Sequence, residues 1–216
     1  MSLIQQALES ADETRAIEFG HGALARTGGL FRSVFPDATA LVVADENTFT
    51  AAGAEVLASL SAAGVVLAAE PFILPGTPTL YADYDNTGLV RERLAALPGA
   101  VACSIASGTL NDVTKLASGE LGRPYMNVCT AASVDGFSSY GASISVDGFK
   151  LTRDCPAPAG LVADLAVMAA APTRLTSTGY GVLASDQARR ALGYRWENDA
   201  WSREPDMAHG VFGAMG

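Results

Sequence analysis

The stretch CSIASGTLNDVTK, residues 103–115, carries an apolar strand (Ala100 to Ile105) into a small-residue turn and then into a helix. At such a junction a turn containing Gly108 lets backbone N–H groups and the positive end of the next helix approach a phosphate. Thr109 and Asn111 add side-chain donors at the same place. Taken alone, the turn reads equally as structural, because strand-to-helix junctions commonly take a glycine and a Ser or Thr cap.

The segment that follows, PYMNVCTAASVDGFSSYGASISVDGFKLTRDCPAPAGLVADLAVMAAAP (124–172), repeats the arrangement. A second strand, Tyr125 to Cys129, ends in Thr130, Ala131, Ala132, Ser133, Val134, Asp135 and Gly136, and a hairpin and another strand-to-helix unit come after it. Two successive strand ends made of small polar residues imply a lined crevice.

Toward the N-terminus the pattern alternates. Ala16 to Gly20 reads as a strand, and Ala23 to Val34 as a helix burying Leu24, Leu30, Phe31 and Val34. Thr39 to Ala44 is an apolar strand, followed by a helix from Phe49 to Ala63, a strand from Val65 to Ala69, a loop from Leu74 to Leu80 and a helix from Thr87 to Leu97. The last of these shows a half-buried face of Leu89, Val90, Arg93 and Leu94. Strands apolar on both faces and separated by helices predict a doubly wound, mostly parallel α/β sheet, a Rossmann-like nucleotide-binding domain over residues 1–171. Ligands bind such sheets beyond the carboxyl ends of the strands, so Asp45, Gly108 and Asp135 are expected on one edge. Asp45 has two readings, a ribose acceptor or the N-cap of the helix after it, and they coexist only if one carboxylate oxygen stays free. No GxGxxG occurs in the chain.

Composition narrows the function classes. Of 216 residues 49% are hydrophobic and only 17% charged, which predicts a packed globular core. A net charge of −9 with no Lys/Arg cluster argues against nucleic acid or an anionic membrane as partner. No uninterrupted apolar run reaches membrane-spanning length and the N-terminus lacks a basic and apolar leader pattern, so a cytoplasmic location is expected. Cys103, Cys129 and Cys155 are odd in number and widely spaced, and read as buried thiols.

The combination resembles the glycerol-1-phosphate dehydrogenase family, in the superfamily that also holds dehydroquinate synthase and the metal-dependent glycerol dehydrogenases. The resemblance spans residues 15–181 and rests on SGTLNDVTK (107–115), TAASVDGFSS (130–139), VDGFK (146–150), ADL (163–165) and GYG (179–181). It implies that Gly108, Thr109, Leu110, Asn111 and Asp112 hold the pyrophosphate of NAD or NADP. It implies further that Thr130, Ser133 and Ser139 line the nicotinamide side, and that Asp135 binds the hydroxyls of a small phosphorylated polyol. The implied reaction is hydride transfer between the nicotinamide and dihydroxyacetone phosphate, with a zinc-like metal polarising the carbonyl.

The chain departs from the family at Val182, where the resemblance places a metal-ligating Asp, and at Ala106, where it places a glycine. The family's two His ligands come from a later helical domain, whereas His21 and His209 are the only histidines in this chain. The expectation is therefore no metal site and an incomplete or inactive enzyme, with residues 172–216 the start of a truncated helical domain or an atypical tail. Two alternatives stand beside it: a non-catalytic dinucleotide-binding or interaction module, and a dehydroquinate synthase-like lyase.

The remaining residues take their ordinary readings: Asp112 and Asp135 as first-turn and turn carboxylates unless the resemblance raises them, Lys115 and Lys150 as solvated lysines. Gly179 and Gly181 should interrupt the helix that begins at Thr173, and Trp196 and Trp201 should anchor a polar tail, with a partner's docking site as the other reading. If the second domain is absent, Leu165, Val167 and Met168 are expected to present an apolar face that a homo-oligomer or the Trp-bearing tail would cover.

Overall fold

The computed structural model describes residues 3–191, 195–197 and 200–202. In chain order the elements are α1 (Leu3–Glu9), β1 (Ala16–Gly20), α2 (Thr27–Val34), β2 (Thr39–Asp45), α3 (Glu46–Ala62), β3 (Phe72–Leu74), α4 (Tyr84–Ala95), β4 (Ala100–Ala106) and α5 (Gly108–Glu120). There follow β5 (Tyr125–Cys129), β6 (Ala142–Val146), β7 (Phe149–Arg153), β8 (Gly160–Asp164), α6 (Leu165–Ala170), α7 (Thr173–Ala191), β9 (Arg195–Glu197) and β10 (Ala200–Ser202).

Six strands form one sheet in the order β1-β8-β5-β4-β2-β3, and every pairing is parallel. All seven residues of β4 and all five of β5 are buried, as strands covered on both faces require. Alternation along β2 sends Val42 and Ala44 to one core with Phe31, Val56 and Leu60 of α2 and α3, and Leu41 and Val43 to the other with Val90, Leu94, Leu110 and Val113 of α4 and α5. This is the doubly wound α/β fold read from the sequence. On the first face the helices touch closely: a Cβ at Gly28 would lie 2.1 Å from the Ser59 carbonyl oxygen, and the Gly28 N–H donates to Ser59 Oγ at 2.9 Å.

Several boundaries differ from the sequence reading. Val65 to Ala69 is not a strand: only a bridge between Ala40 and Leu67 forms there, and the chain joins the sheet later, where Phe72–Leu74 pairs with Val43–Asp45. Capping sets the helix starts. α3 begins at Glu46 because Asp45 caps it, and α4 begins at Tyr84 because Asp83 accepts the Asn86 N–H. Ala23 to Val34 divides into a 3₁₀ turn, Leu24–Arg26, and α2, with Leu24, Leu30, Phe31 and Val34 all buried. On α4, Val90 and Leu94 point inward while Leu89 is half exposed.

At the C-terminal end α7 runs through both glycines without interruption. Gly179 has a packing role instead: a Cβ there would lie 2.1 Å from the Ala132 carbonyl oxygen, so its absence lets α7 rest on the segment after β5. Leu165, Val167 and Met168 are half-buried, and Val167 and Met168 pack on the core. Trp196 and Trp201 are register partners in the antiparallel pair β9–β10; whether they anchor the tail, and anything about His209, lies outside the described residues. Among the described residues no helix is long and apolar enough to cross a membrane.

Candidate functional site

A cleft of about 800 Å³ opens at the carboxyl edge of the sheet, walled by Asp45 at the end of β2 and Asn47 just past it, Ser107 and Thr109 after β4, and Thr130 after β5. Its far side is closed by the 76–80 loop and by Arg174 and Leu175 of α7. From β2 the chain moves outward to β3 and then returns to the other side of β2 as β4. The cleft therefore sits where the strand order reverses, the place at which open α/β sheets leave a crevice between diverging loops.

Three helices follow their strands directly at this edge, and their first turns are built differently. At α3, Asp45 Oδ1 accepts the N–H groups of Asn47 and Thr48 at 2.8 and 2.9 Å, and Thr48 Oγ1 accepts the Asp45 N–H at 3.0 Å. At α6, Asp164 accepts from Ala166 through Oδ1 at 2.9 Å and from Leu24 through Oδ2 at 3.1 Å. At α5 the N-cap is Ser107, whose side chain makes no capping bond. The first intrahelical bond there runs from the Asn111 N–H to the Ser107 carbonyl, so the N–H groups of Thr109 and Leu110 have no intrahelical acceptor. The positive end of α5 is left open beside a cleft that Ser107 and Thr109 line.

The structure separates the sequence-predicted residues into groups. Asp45, Thr109 and Thr130 line the cleft. Asp45 is the cap, and Oδ1 takes both capping bonds, so the ribose reading turns on Oδ2. Gly108 and Ser133 stand just behind the wall, bound to each other, since the Gly108 N–H donates to Ser133 Oγ at 3.2 Å. A Cβ at Gly108 would meet Val134 Cγ1 at 2.7 Å, so the glycine is required by the neighbouring loop as well as by any ligand. Leu110 is fully buried in the core and has only its backbone to offer. Asn111 is buried too, its Oδ1 accepting from Tyr125 Oη at 3.1 Å. Asp112 turns away from the cleft, its Oδ2 accepting the Ser143 N–H at 3.3 Å. Asp135 and Ser139 are exposed on the turn after β5 and do not line the cleft; Ser139 Oγ donates to the Gly136 carbonyl at 3.0 Å.

Lys115 overturns its sequence reading. It is 1% exposed rather than solvated, because the backbone of the 136–141 turn folds over it and supplies carbonyl oxygens in place of water. Lys150 is exposed, as read. Sequence reasoning missed Ser107, although it stands one residue before Gly108 at an N-cap position, and Arg174, which no local pattern marks.

Burial dominates the local electrostatics. It raises the Asp112 carboxyl above its ordinary value, with Lys115 and the Ser143 N–H opposing, and lowers Lys115, with Asp112 opposing. Burial pushes the thiols of Cys103 and Cys129 up to about 12, and all three cysteines are buried and free. Burial also acts upward on Asp164, but N–H groups of Leu24, Ala166, Val167 and Ala23 together hold it below the ordinary carboxylate value.

A metal ion does not fit the described residues: among them no three His, Cys, Asp or Glu side chains come together. Val182 is half-buried on α7 and offers no ligand, and His21 is exposed on a turn. For a dinucleotide the described residues offer the open start of α5, with uncommitted donors for phosphate, beside a cleft of about 800 Å³.

Residues 18–172 match the sequence profile of the iron-containing alcohol dehydrogenases. The chain belongs to that family. Among its curated relatives, the glycerol-1-phosphate dehydrogenase [NAD(P)+] of Halalkalibacterium halodurans is 38% identical over 142 residues, 65% of this chain and 35% of the relative. The enzyme of the same name from Methanosarcina barkeri is 32% identical over 172 residues, 80% of this chain and 46% of the relative. The crystal structure of glycerol dehydrogenase from Schizosaccharomyces pombe superposes with a TM-score of 0.68 at 21% identity, covering 83% of this chain and 45% of that one. The chain thus spans less than half the length of these relatives.

Proposed function

We propose that this chain is the cofactor-binding half of an NAD(P)-dependent dehydrogenase whose substrate pair is dihydroxyacetone phosphate and sn-glycerol 1-phosphate. The observation that carries the reading is the uncapped start of α5, which opens into a cleft at the strand-order reversal in a member of this family. In the reaction a hydride moves from the reduced nicotinamide to the carbonyl carbon of dihydroxyacetone phosphate and a proton joins the carbonyl oxygen, giving the alcohol and the oxidised cofactor. The N–H groups of Thr109 and Leu110 receive the pyrophosphate, and Asp45 Oδ2 accepts from the adenosine ribose. Thr130 borders the nicotinamide, and the family resemblance, rather than the cleft lining, gives Asp135 the hydroxyls of the polyol phosphate. The relatives named above support the substrate pair.

A second reading, a dinucleotide-binding module without turnover, is favoured by Val182, where the family resemblance implies a metal-ligating Asp. Isothermal titration of the 216-residue protein with NADH and NADPH tests what the two share. Saturable 1:1 binding supports the cleft as a cofactor site, and no binding of either at millimolar cofactor removes both readings. Hydride transfer to dihydroxyacetone phosphate, followed by loss of NADH absorbance, then separates them.

A further inference from the structure

Lys115 lies in the second turn of α5 with its ammonium in the protein interior. Nζ donates to the carbonyl oxygens of Gly136 at 3.1 Å, Ser139 at 2.9 Å and Gly141 at 3.0 Å. An ammonium has three N–H donors and no acceptor, so these bonds exhaust it. Burying an ammonium is costly unless its water is replaced, and here a single stretch of backbone, 136–141, replaces all of it. One helical step earlier on the same face, Asp112 Oδ2 accepts the Ser143 N–H at 3.3 Å. Two side chains of one helix therefore grip the segment that starts immediately after Asp135 and ends in β6. The N-terminal turn of that helix is the open one at the cleft.

We propose that Lys115 is a positioning residue: by binding the 136–141 backbone to α5 it fixes Asp135 relative to the helix that receives the cofactor's phosphates. The proposal rests on the reading of Asp135 as the polyol-phosphate contact given above. A hydrophobic side chain of similar length fills the same volume but binds no carbonyl, so the turn loses its anchor while α5 keeps its place in the core.

The test compares Lys115→Met, Asp135→Ala and the double variant in the 216-residue protein by hydrogen exchange and by titration with NADH and then sn-glycerol 1-phosphate. Lys115→Met is expected to speed amide exchange in 136–141 by about tenfold or more and to leave NADH affinity within about twofold. It should weaken glycerol 1-phosphate binding by about tenfold, with the double variant no weaker than Asp135→Ala alone. Unchanged exchange in 136–141, or additive losses in the double variant, overturns the proposal. If the unmodified protein binds no glycerol 1-phosphate, the substrate reading fails separately and the exchange result alone decides the anchor. Should Lys115→Met not fold, lysine-labelled NMR of the unmodified protein decides it: a slowly exchanging Lys115 ammonium coupled to the three carbonyls supports the anchor, and a freely exchanging one overturns it.

Discussion

The starts of α3 and α5 are neighbours across one cleft, yet they treat their free N–H groups in opposite ways. At α3 the chain uses its own carboxylate: Asp45 caps the helix, Thr48 returns the bond, and Glu46 and Asn47 hold the 76–80 loop through Gly76. At α5 a neutral Ser107 leaves the first turn uncapped. The two N-caps have similar extended backbone, φ −102° and ψ 169° at Asp45 against φ −87° and ψ −170° at Ser107, so conformation does not separate them. The difference is chemical. A helix start closed by its own anion is stable without ligand, and one left open gives up about 1 kcal/mol of capping and keeps its donors for an external anion.

Converting the second start into the first is the strongest way to break this contrast. Ser107→Asp is expected to weaken NADH binding by about tenfold to a hundredfold, through lost donors and charge repulsion, while raising stability of the free protein by about 1 kcal/mol. Titration calorimetry and a denaturant melt check the two signs together. Affinity unchanged beside a stabilised fold would mean that the phosphates do not meet α5.

Opening the closed start has a smaller effect. Asp45→Ala removes the capping box and is expected to cost about 1 to 2 kcal/mol in urea unfolding. Asp45→Asn keeps the cap and isolates the ribose bond, so a loss of NADH affinity in Asp45→Asn at near-native stability assigns Oδ2 to the cofactor. Acid sharpens the comparison further. Asp164 caps α6 with a carboxyl held below its ordinary value, so its contribution is present above the unfolded-state pKa and is lost as pH falls through the lower folded-state value. The start of α5 has no capping carboxylate, so hydrogen exchange on acidification should rise at α6 before α5. The smallest expected effect is Ser107→Ala, within about 0.5 kcal/mol by urea unfolding, because the hydroxyl makes no capping bond in the free protein.

Much of the fold was legible because its signals are local and repetitive. TALVVA and AVACSI are apolar runs without a polar face, which only a strand covered on both sides accommodates, and β2 and β4 form there. The strand expected at Val65 to Ala69 failed because a short apolar run does not say how far it will pair: it makes only the bridge from Leu67 to Ala40 of β2, and the paired strand at this edge is Phe72–Leu74. The site was legible in part. Asp45, Thr109 and Thr130 are at strand ends, and strand ends share an edge in any parallel sheet. The orientation of Asp112 and Lys115 was not legible, since the segment that covers them comes more than twenty residues later in the chain.

By itself the sequence determined the alternation of strand and helix, the two-sided core and the set of residues at the carboxyl edge, because hydrophobic period and turn chemistry act over a few residues. Tertiary structure alone decided which helix starts are closed or open and that Arg174 of α7 reaches the cleft. It also decided that Gly179 lets α7 rest on the Ala132 carbonyl and that Lys115 is an interior anchor rather than a surface charge. These depend on which distant backbone arrives beside a side chain and replaces its water, and only the folded chain brings those partners together.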